Sequence, residues 1–285
     1  MEIIKQAHQL RPLLKEYSNE GSCLGFVPTM GNLHAGHLAL VDAAAEQCDK
    51  VIVSIFVNPL QFGPDEDLAT YPNTPQEDEK ALAAHGADIL YRPSVEDVYP
   101  SGLESQTRVE VPGISEILCG QSRPGHFTGV TTVVNRLFNQ VQADKAFFGK
   151  KDYQQYLLIR KMVADLAMIT EVVGIDTVRL DNGLAMSSRN NYLSADDLIQ
   201  ASSLYRVIQD VAEHFSRGAL SINAIVDGGI ADLKKSGFVP DYLSVRRQSD
   251  LSEPEADDTR LVVLAAAWLG KTRLIDNLEF VVTRN

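Results

Sequence analysis

The chain has 285 residues, enough for one large domain or two ordinary ones, and its 45% hydrophobic and 22% charged content describes a folded protein without disordered tracts. With 26 basic against 38 acidic side chains the net charge is -12, which repels a polyanion, and no Lys/Arg cluster offers a local exception, so nucleic acid is not an expected partner. The longest apolar run, Leu261 to Leu269, falls far short of the roughly 20 residues that span a bilayer, and the start M-E-I-I-K-Q has no basic region followed by an apolar one; a cytoplasmic protein without a membrane partner is expected.

Residues 2 to 18 place Ile3, Ile4, Ala7, Leu10, Leu13, Leu14 and Tyr17 at helical spacing and predict a first amphipathic helix. Leu24 to Val27 predicts the first strand. It feeds the turn V-P-T-M-G-N-L-H-A-G-H (27 to 37) and then the helix-compatible run from Leu38. A strand-to-helix turn is an anion site, because the first N–H groups of a helix have no partner within it and its dipole favours negative charge there. Gly31 and Gly36 permit a sharp turn and a close approach, and His34 and His37, three apart, would share one face of the first helical turn. A helix-capping turn with two solvated histidines is an equally open reading, and a zinc pair lacks a third ligand.

The β-branched run Val51 to Val57 predicts a strand buried on both faces, ending in the loop Asn58 to Gly63. A helix from Pro75 to about His85 and a strand from Ala87 to Tyr91 follow, and this β-α-β-α-β order implies a parallel, doubly wound, Rossmann-like α/β sheet. Ligands bind such sheets beyond the carboxyl ends of the strands, which makes Gln61 a candidate ligand-facing group beside the turn at 28 to 37. Arg123 to Val130 leads into an amphipathic helix, Thr131 to Val141. Lys145 to Gly149 is another strand, and Lys150-Lys151-Asp152 opens a further helix, where Lys151 suits a phosphate and Asp152 a ribose hydroxyl. Glu171 to Val178 completes this half. Beyond it Asn182-Gly183 marks a turn, Met186 to Asn191 is small and polar, and Ser194 caps a helix read as running from Ala195 to about Arg217. A second helix, Ser221 to Ser236, precedes three strands with no helix between them, Tyr242 to Val245, Arg260 to Ala267 and Thr272 to Leu278. The expected organisation is a nucleotide-binding domain over 1–176 and a smaller α+β lid domain over 177–285. Cys23, Cys48 and Cys119 are odd in number and widely spaced, which signals neither a disulfide framework nor a zinc site; they read as buried thiols.

His34/His37, Lys150/Lys151 and Ser187/Ser188/Arg189 are three phosphate-friendly segments at consistent places on one architecture, and together they describe a nucleoside triphosphate site. Neither G-x-x-x-x-G-K-[ST] nor G-x-G-x-x-G is present. Five segments, P-T-M-G-N-L-H-A-G-H (28 to 37), F-V-N-P-L-Q-F (56 to 62), C-G-Q-S-R-P-G-H-F (119 to 127), F-F-G-K-K-D-Y-Q-Q (147 to 155) and G-L-A-M-S-S-R-N (183 to 190), resemble in this order the pantothenate synthetase family, ATP-dependent ligases that join pantoate to β-alanine. The His-x-Gly-His turn and Met-Ser-Ser-Arg segment are also similar to the paired signature motifs of the wider nucleotidyltransferase superfamily.

The resemblance implies that Met30, Gly31, Asn32, Leu33, His34, Ala35, Gly36 and His37 bind ATP, with His37 as a proton donor and His34 beside it at the phosphates. It implies that Gly149 and Asp152 hold the ribose, that Lys150 and Lys151 face the nucleotide, that Val178 flanks the adenine, and that Met186, Ser187, Ser188 and Arg189 close over the triphosphate. His34, His37, Lys151 and Arg189 would take up the charge that develops during the reaction, and Gln61 and Gln155 would bind pantoate, Gln61 also near the incoming amine of β-alanine. Magnesium is expected on the triphosphate, within reach of Glu77 and Asp78, although acidic residues in a helix's first turn also serve as dipole partners. A homodimer is expected. Three positions depart from the family pattern: Lys150 stands where glutamate is common, Thr128 where arginine is frequent, and Asn73 in place of an arginine. An adenylyltransferase acting on a phosphate-bearing cofactor precursor, and a nucleotide-binding regulatory module without catalysis, are the competing readings.

Overall fold

The structure, a computed structural model, describes residues 1–64, 66–218 and 221–283. Two compact units divide the chain, one of Met1–Lys150 with Gln155–Asp176, the other of Lys151–Gln154 with Thr177–Asn285. The first runs β1 (Glu2–Ile4), α1 (Ala7–Glu20), β2 (Leu24–Thr29), α2 (Ala35–Gln47), β3 (Lys50–Ile55), α3 (Pro75–Ala84), β4 (Ile89–Tyr91), α4 (Val95–Val98), α5 (Cys119–Ser122), α6 (His126–Val141), β5 (Lys145–Gly149), α7 (Tyr153–Asp165) and β6 (Glu171–Ile175), the first two residues of α7 being assigned to the other unit.

Every neighbouring pair in the six-stranded sheet β1-β4-β3-β2-β5-β6 is parallel. The chain moves from β2 outward through β3 and β4 and then resumes on the other side at β5, so the order reverses between β2 and β5, which is where open α/β sheets leave a crevice beyond the carboxyl ends of their strands. Val51, Ile52, Val53 and Ser54 in β3 are all buried, as a strand covered on both faces requires. On one face Val27, Val51, Val53, Leu90 and Phe147 pack with Leu40, Val41 and Ala44 of α2 and Leu82 of α3. On the other, Phe138 of α6 meets Phe26 and Phe148 edge-on at 6.2 and 6.3 Å.

The helix expected over residues 2 to 18 is corrected at its start. Glu2–Ile4 is an edge strand, with Ile3 opposite Leu90 of β4, and the helix begins at Ala7. Two adjacent isoleucines satisfy either periodicity, and the sheet edge that claims them is contributed by a distant part of the chain.

The second unit contains α8 (Ala195–Ala201), α9 (Ser203–Arg217), α10 (Ile222–Lys235), β7 (Val239–Arg247), β8 (Arg260–Leu269) and β9 (Thr272–Val281), with the strands antiparallel in the order β7-β8-β9. Alternate residues of β8, Leu261, Val263, Ala265, Ala267 and Leu269, join a core with Leu204, Val207, Ile208 and Val211 of α9 and Ile225 and Leu233 of α10. The single helix expected from Ala195 to Arg217 is two, broken at Ser202, whose hydroxyl donates back to the Ile199 carbonyl at 2.7 Å. No helix among the described residues is long and apolar enough to cross a membrane.

Candidate active site

The turn between β2 and α2 is built around a buried carboxylate. Asp78, in the first turn of α3, is 2% exposed. Its Oδ2 accepts from the Asn32 N–H at 2.9 Å, its Oδ1 from the Leu33 N–H at 2.8 Å, and Oδ1 also takes the Thr74 hydroxyl at 3.1 Å. Carboxylates that accept backbone N–H bonds in this way hold loops strongly, because the bonds are charge-assisted and shielded from water. Gly31 is required here twice over. Its φ is +82°, and a Cβ would stand 3.0 Å from the Ile55 side chain and 3.1 Å from Asp78 Oδ2.

Held there, the chain enters α2 with His34 as its N-cap. His34 Nδ1 accepts from the Gly36 N–H at 3.1 Å, and His37 Nδ1 accepts from the His34 N–H at 3.4 Å. The two rings stack with centroids 4.0 Å apart. Because both Nδ1 atoms accept, the hydrogen-bond network puts the proton of each neutral imidazole on Nε2. The capping reading of these histidines is met by one nitrogen of each ring, and Nε2 is left as the donor nitrogen near the positive end of the helix dipole.

Gln61 is positioned by groups the sequence reading passed over. β3 ends in a short 3-10 turn, Pro59–Gln61, capped by Asn58, which is 1% exposed. Asn58 Oδ1 accepts from the Leu60 N–H at 3.3 Å and the Tyr99 hydroxyl at 2.9 Å, while its Nδ2 donates to the Gly129 carbonyl at 3.1 Å and to Gln61 Oε1 at 3.2 Å. Gln61 Nε2 lies 3.0 Å from Met30 Sδ, which joins this turn to the histidine turn. A Cβ at Gly129 would come within 2.3 Å of the Leu60 carbonyl oxygen, so α6 presses backbone on backbone there. The Gln61 carbonyl accepts from His126 Nδ1 at 2.8 Å, and His126 Nε2 accepts from Arg123 Nη1 at 2.9 Å. Glu66 clasps Arg123 through both oxygens at 2.6 Å. Burial works to raise the Glu66 carboxyl, but the Arg123 hydrogen bonds and charge outweigh it and hold the group below its ordinary value. The polar asparagine after a buried strand and the run Arg123-Pro-Gly-His126 were the signals available for these residues.

Gly149 and Lys150 stand at the carboxyl end of β5, the strand beside β2 at the reversal of strand order. Lys150 pairs with Asp176 at 2.9 Å, so a neighbouring carboxylate meets its positive charge. Gln155 lies on α7, in the same unit as Gln61.

In the second unit, two adjacent residues of β9 gather the other predicted segments. Asp276, 4% exposed, grips Arg179 through both oxygens at 2.6 and 2.9 Å. Asn277 Nδ2 donates to the Lys151 carbonyl at 2.8 Å. Arg179 also lies 3.5 Å over the Tyr205 ring and bonds the Gly183 carbonyl at 3.0 Å, bracing the hairpin in which Met186 N–H donates to the Val178 carbonyl at 2.9 Å. Lys151 Nζ is 3.8 Å from Asp152 Oδ2. Ser187 then caps the turn Ser188–Tyr192, its hydroxyl accepting from the Arg189 N–H at 3.3 Å. Asp276, Asn277 and Arg179 were not singled out from sequence.

Glu77 and Asp78, adjacent in the first turn of α3, lie in different surroundings. Glu77 is exposed, whereas Asp78 is buried with both oxygens committed to the turn, and no group of three His, Cys, Asp or Glu among the described residues is arranged to hold a metal ion.

An open parallel sheet with helices packed on it, followed by a small antiparallel three-stranded sheet, defines the class: a doubly wound α/β protein with a smaller α+β unit. A family model described as pantoate-beta-alanine ligase matches residues 2–279. The pantothenate synthetases of Shewanella oneidensis and Pseudomonas putida are each 52% identical, over 280 and 278 residues, covering 98% of this chain and 99% and 97% of theirs. The solved pantothenate synthetase of Thermus thermophilus superposes with a TM-score of 0.90 at 42% identity, over 98% of this chain and 99% of its own. The pantoate-beta-alanine ligase of Francisella tularensis, complexed with beta-gamma ATP and beta-alanine, gives 0.81 at 34% identity, over 98% and 97%. The chain belongs to the pantoate-β-alanine ligase family, and it is an AMP-forming ligase.

Replacing Asp78 by Asn substitutes an N–H donor for one of the two acceptors and turns it toward a backbone N–H. We expect kcat/KM for ATP to fall by about 10–100-fold, and stability by about 1–3 kcal/mol, the cost of a buried donor left unpaired. Steady-state kinetics and urea unfolding check this.

Glu66 titrates lower in the folded than in the unfolded chain, so its contribution to stability is present above its ordinary value of 4.5 and is lost as pH falls through the lower folded value. Wild type should therefore exceed Arg123→Gln in unfolding free energy most at neutral pH, with the gap closing below about pH 4. Denaturant titrations at both pH values measure it.

Proposed function

We infer that the protein condenses (R)-pantoate with β-alanine to pantothenate at the expense of ATP, through pantoyl adenylate, releasing AMP and pyrophosphate. The observation that carries this reading is the pair of stacked imidazoles at the start of α2, each spending Nδ1 on the helix and presenting Nε2–H as a donor. In the first step the pantoate carboxylate attacks the α-phosphorus and charge grows on the phosphoryl oxygens. His34 and His37 donate to those oxygens, His37 as proton donor, with Lys151 and Arg189 supplying positive charge. Donors already in place where charge develops act without reorganisation, and losing one typically costs about 10²–10³ in rate.

Met30 to His37, Gly149, Lys150 and Asp152 receive the phosphates and ribose, Val178 flanks the adenine, and Met186, Ser187 and Ser188 act with Arg189 on the triphosphate. Gln61 and Gln155, each able to donate and accept, orient the hydroxyls and carboxylate of pantoate. The clamping of Gln61 by Asn58 and the Gln61 carbonyl by His126 supports its role, since a positioned amide loses less freedom on binding. In the second step the amine of β-alanine attacks the acyl carbonyl and AMP leaves. Alignment dominates that step, and exclusion of water protects the mixed anhydride. Magnesium arrives on the triphosphate, with waters completing its shell. On this reading residues 1–176 form the nucleotide- and pantoate-binding domain, 177–285 the lid, and the enzyme acts as a cytoplasmic homodimer.

With pantoate and ATP alone the enzyme should form AMP and pyrophosphate, and pantothenate once β-alanine is added. Production of ADP, or nucleotide turnover indifferent to pantoate, would overturn the assignment.

His37→Ala should lower kcat by about 10²-fold or more while changing the ATP dissociation constant far less. Equal losses in both, measured by single-turnover kinetics and calorimetry, would remove its transition-state role.

A further inference from the structure

Cys23 and Cys48 are half-buried and take no part in the chemistry above. Cys23 stands just before β2, and Cys48 caps the carboxyl end of α2, so the pair brackets the strand, turn and helix that carry His34 and His37. Their Sγ atoms are 3.2 Å apart, closer than two sulfurs in van der Waals contact. The backbones beneath them are tied together. The Cys23 carbonyl accepts from the Asp49 and Lys50 N–H groups at 2.9 and 3.1 Å, and the Cys23 N–H donates to Asp49 Oδ2 at 2.8 Å. Gly25 lets the end of α2 sit directly on β2, since a Cβ there would be 3.2 Å from both Cβ and Sγ of Cys48. A disulfide needs the sulfurs to close from 3.2 Å to ~2.0 Å, a movement within the reach of side-chain rotation.

We propose that Cys23 and Cys48 form a dithiol modification site, which hydrogen peroxide converts to an intramolecular disulfide that closes residues 23–48 into a covalent loop. The Cys23 sulfur attacks one peroxide oxygen, the O–O bond breaks, the departing hydroxide leaves as water, and Cys23 becomes a sulfenic acid. The Cys48 sulfur then displaces hydroxide from the Cys23 sulfur, the S–S bond forms, and the Cys48 proton leaves with that hydroxide as a second water. Two thiols lose two electrons and the peroxide gains them. Burial and the adjacent Cys23 thiol push Cys48 up to about 12, which makes it the partner that keeps its proton until Cys23 has reacted. The link lies at the end of the segment remote from the histidine turn. It restrains the unfolded chain and leaves the donors in place.

The test treats the full-length protein with hydrogen peroxide and reads intact mass, a non-reducing peptide map, melting temperature and AMP formation. We expect a loss of two hydrogens, a peptide containing Cys23 joined to one containing Cys48, reversal by dithiothreitol, a melting temperature raised by several degrees, and AMP formation within twofold of the untreated enzyme. Cys48→Ser should show no link and should carry added oxygen on Cys23. The proposal fails if either thiol of the native protein gains oxygen without the link, if the link joins two chains, or if neither thiol reacts under conditions that oxidise free cysteine.

Discussion

A carboxylate removed from water and holding two backbone amides is the constraint on which the chemistry of the first unit depends. Asp78 does this for Asn32 and Leu33, inside the turn that joins strand to helix. Burying an ion is costly, and the cost is met only when hydrogen bonds replace its water; here the Thr74 hydroxyl joins the two amides, so each carboxylate oxygen accepts at least one bond. Asp78 at the start of α3 thus fixes where β2 stops and where α2 starts. The histidines inherit their geometry from that start.

That inheritance explains how a short stretch serves two purposes. A helix start has N–H groups that need acceptors, and an anion site needs donors. His34 and His37 answer the first need with Nδ1, which leaves Nε2 for the second under the proposed function, and their stacked rings share one orientation. An asparagine or serine cap would satisfy the helix and offer nothing comparable to a phosphate. Gln61 is treated the same way, its side-chain oxygen held by Asn58 and its main-chain oxygen by His126. Positioning polar groups before the ligand arrives lowers the entropy lost on binding.

The second unit uses a different device. Asp276 and Asn277 are neighbours in the middle of β9, one binding Arg179 and the other the Lys151 carbonyl, so a single strand organises segments far apart in sequence. Buried pairs of this kind add little net stability over apolar packing, yet breaking one leaves an uncompensated charge at a cost of about 3–5 kcal/mol. Their value lies in fixing which backbone goes where, here the hairpin that joins Val178 to Met186.

Much of this was legible in the chain itself. The run Val51 to Val57 has the composition of a two-sided strand, and the glycines and histidines at 31 to 37 carry a strand-to-helix turn in their local chemistry, because backbone propensity and helix-start electrostatics act over a few residues. The family followed from five segments in order. What the residues by themselves determined was therefore the central strands, the order of the elements and the types of donor available. The tertiary structure decided which partners those donors have. Ile3 and Ile4 became a strand because β4 offers an edge, and Asp78 became a turn anchor because α3 packs where the turn bends. Asn58, His126 and Asp276 acquired their roles from neighbours distant in sequence. A side chain's burial and hydrogen-bond partner are properties of its surroundings, and only folding assembles those.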